Sequence, residues 1–82
     1  MKLVYVEWLD ASAGHGWQSA PQLQRDAKPL RCRSVGWLFK QTPQYVVLLP
    51  HVYGGDAEQT LTGCGDLTIP HPCITRIKTL KL

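Results

Sequence analysis

The sequence of 82 residues predicts an all-β fold, a small five-stranded bent barrel that occupies residues 1–82 as one domain, with a long first loop that has room for a short helix. Three observations predict it. Segments rich in β-branched and aromatic residues recur along the chain, separated by glycine- and proline-marked breaks. The length suffices for one hydrophobic core and not for two. Helix-start chemistry is confined to one short stretch.

The first strand is Leu3 to Leu9, with Val4, Val6 and Trp8 on one face and Leu3, Tyr5, Glu7 and Leu9 on the other. So apolar a strand is expected to be buried on both sides. Asp10-Ala-Ser-Ala-Gly-His-Gly ends it, and no strand pattern returns before Pro29. Within this loop Ser19-Ala20-Pro21 has a capping serine followed by a first-turn proline, so Gln22 to Ala27 can continue as a turn or two of helix.

Leu30 to Lys40 alternates Leu30, Cys32, Ser34, Gly36 and Leu38 against Arg31, Arg33, Val35, Trp37 and Phe39, a second strand with a glycine bend. Gln41-Thr42-Pro43-Gln44 turns it into a third strand, Tyr45 to Leu49, whose unbroken apolar character implies burial on both faces. His51 to Tyr53 is extended, and Ala57 to Gly65 reads as a loop or a weak edge strand. Leu67 to Ile69 is a short strand stopped by Pro70-His71-Pro72, because proline donates no backbone hydrogen bond. Ile74 to Leu80 is the last strand. Five short strands with a proline-marked turn before the last fit a barrel of the SH3-like or Sm-like kind.

Hydrophobic residues make up 44% of the chain and charged residues 18%, which excludes a disordered tail and leaves apolar surface to be covered between subunits. A homo-oligomer is therefore expected, as is common where a small core needs supplementing. The longest apolar run, Tyr45 to Leu49, is far below the ~20 residues of a membrane span, so no membrane partner is expected. Glu7 and Asp10 interrupt what a secretory leader would need, and three cysteines without framework spacing suit free thiols; both point to a cytoplasmic protein.

The net charge of +3 is unevenly spread: Arg25, Lys28, Arg31, Arg33 and Lys40 face only Asp26, and no acid follows Asp66. Such a bias favours phosphate-bearing partners, although a solvated surface has the same composition. Arg31 and Arg33, two apart on a strand, point the same way, and two guanidinium forks can clamp phosphate or carboxylate. The competing interpretation is a solvated face paired with Glu7, Asp10 or Asp26.

Trp8 and Trp37 fit core positions, whereas Trp17 follows Gly14-His15-Gly16 in a loop, where it either caps the barrel or stacks on a planar ligand. His15 sits where a flexible loop can close, and Asp10, at the end of the first strand, can accept a hydrogen bond from a base or ribose hydroxyl. The candidate ligand-binding residues are thus Asp10, His15, Trp17, Arg31 and Arg33. His71 and Cys73 form only a His-x-Cys pair and Cys64 lies seven residues before His71, which is not the paired spacing of a zinc site, so neither metal nor cofactor is expected. No nucleophile elbow, phosphate loop or metalloprotease motif occurs, so no enzyme is expected.

Trp8-Leu9-Asp10, Gly16-Trp17, Ser34 to Leu38, Val46 to Leu48, Ile69-Pro70 and Ile74 to Ile77 together resemble the pattern of a family of small phage and prophage proteins without an assigned activity. The resemblance implies the barrel and a viral or mobile-element origin. Some phage proteins of this size are sponges for nucleotide second messengers of host defence. By analogy the leading expectation is a non-enzymatic homo-oligomer that sequesters a nucleotide-like phosphorylated ligand, with Trp17 on the base and Arg31 and Arg33 on phosphate. The alternatives are a single-stranded nucleic-acid-binding module and a structural phage accessory protein without a ligand.

Overall fold

The computed structural model describes all 82 residues. In chain order the elements are β1 (Lys2–Asp10), α1 (Ala20–Asp26), β2 (Leu30–Gln41), β3 (Tyr45–Leu49), β4 (His51–Tyr53), β5 (Thr62–Cys64), β6 (Leu67–Pro70), a 3-10 turn (His71–Cys73) and β7 (Ile74–Leu80). Five strands form one antiparallel sheet in the order β6-β3-β2-β1-β7, and β4 and β5 pair as a separate ribbon.

The predicted strands are all present, and two more form. The extended residues 51–53 and the end of the stretch read as a loop or weak strand find each other, because Gly54 and Gly55 adopt positive φ and Asp56 closes the turn. Its Oδ1 accepts from the backbone N–H groups of Glu58 and Gln59 at 3.0 and 2.9 Å.

Side-chain alternation builds the core on one face of the main sheet. Val4 and Val6 of β1, Val46 and Leu48 of β3 and Ile69 of β6 form its fully buried cluster, at 0–2% exposure. Trp8, Leu38, Leu67, Cys73 and Ile74 pack around them. Each such side chain contributes about 1.5–3 kcal/mol when withdrawn from water. Trp8 reaches this layer with its polar handle satisfied, Nε1–H donating to Ser34 Oγ at 3.0 Å.

No second layer covers this face, so the sheet must bend over its own core. Register shifts in the β1–β7 ladder at Glu7/Trp8 and in the β2–β3 ladder at Leu38/Lys40 provide the bends. Gly36 lets β2 pass close to β3: a Cβ there would meet Leu48 Cβ and the Leu49 carbonyl oxygen at 3.2 Å. No ladder joins β6 to β7, so the hydrogen-bonded sheet remains open along that seam.

The 3-10 turn carries the chain from one edge of the sheet to the other. It is fastened to the β2–β3 turn by His71, whose backbone N–H donates to Gln44 O at 2.9 Å and whose Nε2–H donates to Thr42 O at 2.8 Å. Thr42 also organises that turn, its Oγ1 accepting from the N–H groups of Gln44 and Tyr45 at 3.1 Å.

The opposite face differs from expectation. Leu3, Tyr5, Glu7 and Leu9 are half-buried, so β1 is not buried on both sides. Tyr45 and Val47 of β3 are likewise only half-buried. Only its far corner is covered by the chain itself, where Gly63 of β5 packs against Leu49, which pairs with Trp37 and is 6% exposed.

The first loop departs furthest from a compact domain. Every residue from Asp10 to Arg31 is exposed, and residues 11–29 form an arm at the connecting end of the β1–β2 hairpin. Within it α1 is capped by Ser19 and Gln22 in a reciprocal capping box, with Pro21 in the first turn. None of its residues is buried. The Ser12 hydroxyl donates to Lys28 O and ties the two limbs of the arm together. The molecule is consequently long, 60 × 24 × 23 Å.

Candidate functional site

The half-buried outer face of the main sheet carries the strongest concentration of unpaired charge. β1 lies between β2 and β7, and its odd-numbered residues point outward together with their cross-strand neighbours. Arg31 stands beside Leu9, Arg33 beside Glu7, Val35 beside Tyr5 and Trp37 beside Leu3. From the other side Arg76 stands beside Glu7 and Lys78 beside Tyr5. Four cations therefore surround one carboxylate.

That carboxylate is already engaged. Glu7 Oε1 accepts a hydrogen bond from the Tyr5 hydroxyl at 2.8 Å and lies 3.8 Å from Arg76 Nη1. The hydrogen bond holds the Tyr5 phenol above its ordinary pKa, with desolvation and the negative charge of Glu7 acting in the same direction, against the pull of Arg33 and Arg76. The ion pairs of the structure are Arg76 with Glu7 and Arg25 with Asp26, which leaves the guanidinium groups of Arg31 and Arg33 without a carboxylate partner. Arg31 and Arg33 are exposed, so holding them unpaired in water is inexpensive and their donors are free.

An open cleft of about 640 Å³ runs along this surface, lined by Tyr5, Glu7, Leu9, Arg31, Arg33 and Thr75 and bordered by Trp8 and Cys32. Thr75 belongs to the register shift of β7, and its hydroxyl donates to Glu7 O at 3.1 Å. At the bulge the Glu7 carbonyl thus keeps a partner, and Thr75 borders the cleft on its β7 side. A second cleft, about 720 Å³, lies where the arm meets the sheet and includes Gly14, Leu23, Asp26, Lys28 and Arg31. Arg31 borders both.

Of the five residues singled out by sequence, Arg31 and Arg33 share this face as the alternation of β2 predicts. Asp10 closes the β1–β2 ladder opposite Leu30, in phase with Val4, Val6 and Trp8 and so out of phase with the arginines. Its Oδ1 accepts from the Ala11 N–H at 2.8 Å. His15 lies on the arm, where its carbonyl receives Gln18 Nε2 at 3.5 Å.

Trp17 does not cap the sheet; at 104% relative exposure it is free of the rest of the chain. Neither His15 nor Trp17 lines either cleft. The ring on the cationic face is instead Tyr5, with Trp37 further along the same face, half-buried beside Leu3 and Leu49.

The sequence offers Glu7 only as a partner that would neutralise the arginines, and it does not point to Tyr5, Arg76 or Lys78. Their i, i+2 spacing is visible in the sequence, but their meeting depends on the pairing of β7 with β1, which sets Arg76 beside Glu7 and Lys78 beside Tyr5 from the far end of the chain. No three His, Cys, Asp or Glu side chains cluster as a metal-binding group. His71 is committed to Thr42, and Cys32, Cys64 and Cys73 are free thiols. No helix is long and apolar enough to cross a membrane. Comparison of the chain with protein-family models, with curated proteins and with solved structures finds no match in any of the three.

Proposed function

We propose that this chain is a non-enzymatic binding protein that captures a nucleotide-like, phosphate-bearing ligand on the cationic outer face and works as a homo-oligomer. The observation that carries this reading is the alignment of two unpaired guanidinium groups, Arg31 and Arg33, beside the Glu7–Tyr5–Arg76 cluster. Paired forks suit the geometry of phosphate oxygens, and a charge-assisted hydrogen bond contributes about 1.5–3 kcal/mol. Tyr5 and Trp37 offer aromatic surface on the same face for a base.

The wider reading is a phage-type protein in the host cytosol that sequesters a signalling nucleotide of host defence. It rests on the short sequence motifs and on the free thiols. We also read the five-stranded sheet as a half-closed barrel of the SH3-like or Sm-like kind. The core lining a single bent face supports this, as does the 3-10 turn joining the two edge strands.

A panel of linear and cyclic nucleotides screened by thermal shift tests the reading. Stabilisation by at least one member, lost in the Arg31→Ala/Arg33→Ala double variant, is expected; a flat response across the panel overturns it.

One observation favours a second reading, binding of single-stranded nucleic acid. The cations flank β1 in two rows, Arg31 and Arg33 on β2 and Arg76 and Lys78 on β7, roughly 10 Å apart at the spacing of alternate strands. An open track of this kind can follow a phosphodiester backbone. A steep loss of oligonucleotide affinity with added salt, without any response to mononucleotides, would select it.

A further inference from the structure

We infer that the arm formed by residues 11–29 is a self-association device that docks on the outer sheet face of a second copy of this chain. The inference deepens the homo-oligomer of the proposed function and rests on that part of it, but it does not depend on the ligand.

The first argument is area. The chain exposes 6594 Å². A compact monomer of its 9.2 kDa exposes roughly 4,900 Å². The radius of gyration is 17.0 Å, against about 12 Å for a compact chain of this length. The excess surface of roughly 1,700 Å² per chain is what a permanent interface buries, and it is twice the ~800 Å² per partner of a standard one.

The second argument is local stability. A helix as short as α1, seven residues with none buried, is unstable in water by itself, because isolated helices shorter than ~12 residues are marginal. Its capping box supplies about 1 kcal/mol, which is not enough to hold it. Packing is what sustains short helices, and its own chain buries none of its residues. The apolar groups that such packing would use are present: Trp17 is fully exposed and Leu23 is 47% exposed.

The third argument selects the receiving surface. Val35 and Phe39 are 54% and 52% exposed on the outer face, with half-buried Trp37 between them in sequence. They lie toward the end of β2 remote from the arm, as Arg31 is near it. In a two-fold antiparallel pair each arm therefore reaches the far end of its partner's face, which is an isologous and closed arrangement. Stacking whole faces would bring four cations of each copy together; the arm, whose charges are Arg25 paired with Asp26 and one lysine, Lys28, avoids that repulsion.

Mass determination of the full chain by light scattering at micromolar concentration tests this. Wild type is expected to be a dimer or a higher oligomer, and Trp17→Ala/Leu23→Ala is expected to be a monomer with an unchanged far-ultraviolet β-sheet spectrum. Val35→Glu, at an exposed position outside the core, is expected to give the same monomer. A monomeric wild type overturns the inference, and so does a Trp17→Ala/Leu23→Ala protein of wild-type mass. Retained association in Val35→Glu overturns the receiving surface. Arg31→Ala/Arg33→Ala is expected to keep the oligomeric mass, so failure of the ligand reading and failure of this one give different results.

Discussion

Arg33 stands directly opposite Glu7 in the β1–β2 ladder, yet Glu7 gives its carboxylate to the Tyr5 hydroxyl and leans toward Arg76 on the other side. The competing interpretation of the sequence, a basic β2 neutralised by Glu7, is not what forms: the Glu7 carboxylate lies against Arg76 of β7 instead. Arg33 keeps its charge and its donors.

Loss of those donors should weaken anion binding. Arg31→Ala and Arg33→Ala are each expected to reduce affinity for a phosphorylated ligand by roughly tenfold or more, the equivalent of one charge-assisted hydrogen bond. Neither should alter the urea midpoint by much, since both side chains are exposed. Isothermal titration of the ligand found in the nucleotide panel gives the comparison.

Tyr5 should titrate late. Its folded-state pKa is raised, so the protonated form is favoured by folding; that contribution is fully present below the unfolded tyrosine pKa and is lost as pH rises through the folded value. Glu7→Gln removes the negative charge and leaves Arg33 and Arg76 in place, so it should bring the Tyr5 titration down. Tyrosinate absorbance followed to alkaline pH in wild type, Glu7→Gln and Tyr5→Phe reads this. An unchanged tyrosine titration in Glu7→Gln would contradict the Tyr5–Glu7 hydrogen bond.

The two faces of the sheet should respond differently to truncation. Ile69→Ala in the buried cluster is expected to destabilise the protein by about 2–5 kcal/mol, through lost burial and the cavity left behind. Val35→Ala on the open face should cost well under 1 kcal/mol in the isolated subunit. Equilibrium urea denaturation of the two variants at low concentration, where subunits separate, makes the comparison.

Gly36→Ala should also destabilise, by about 1–3 kcal/mol. The added methyl group would press at 3.2 Å on Leu48 Cβ and on the Leu49 backbone oxygen, neither of which can move without shifting β3. If the thermal midpoint of Gly36→Ala equals that of wild type, β2 and β3 are not so closely apposed in solution.

Much of the strand order along the chain was legible because it is local. The alternation of Leu30 to Lys40 placed Arg31, Arg33 and Trp37 on one face, and Ser19 with Pro21 announced α1, since both signals act within a few residues. The β4–β5 ribbon was only half visible, because Thr62-Gly63-Cys64 has little strand propensity and pairs through its partner's turn. Trp17 carried two readings for the same reason: a loop aromatic has no periodicity to say whether anything will meet it.

Sequence alone determined that this is a β-rich chain, where the five strands of its main sheet lie, and that two arginines share a face, since side-chain alternation follows from backbone geometry. Tertiary structure alone decided that β7 lies against β1, bringing Arg76 and Lys78 to Tyr5 and Glu7, and that Asp10, His15 and Trp17 stand apart from the arginines. Pairing between distant strands depends on the burial of Val4, Val6, Val46, Leu48 and Ile69 together, a collective choice that no local pattern of residues encodes.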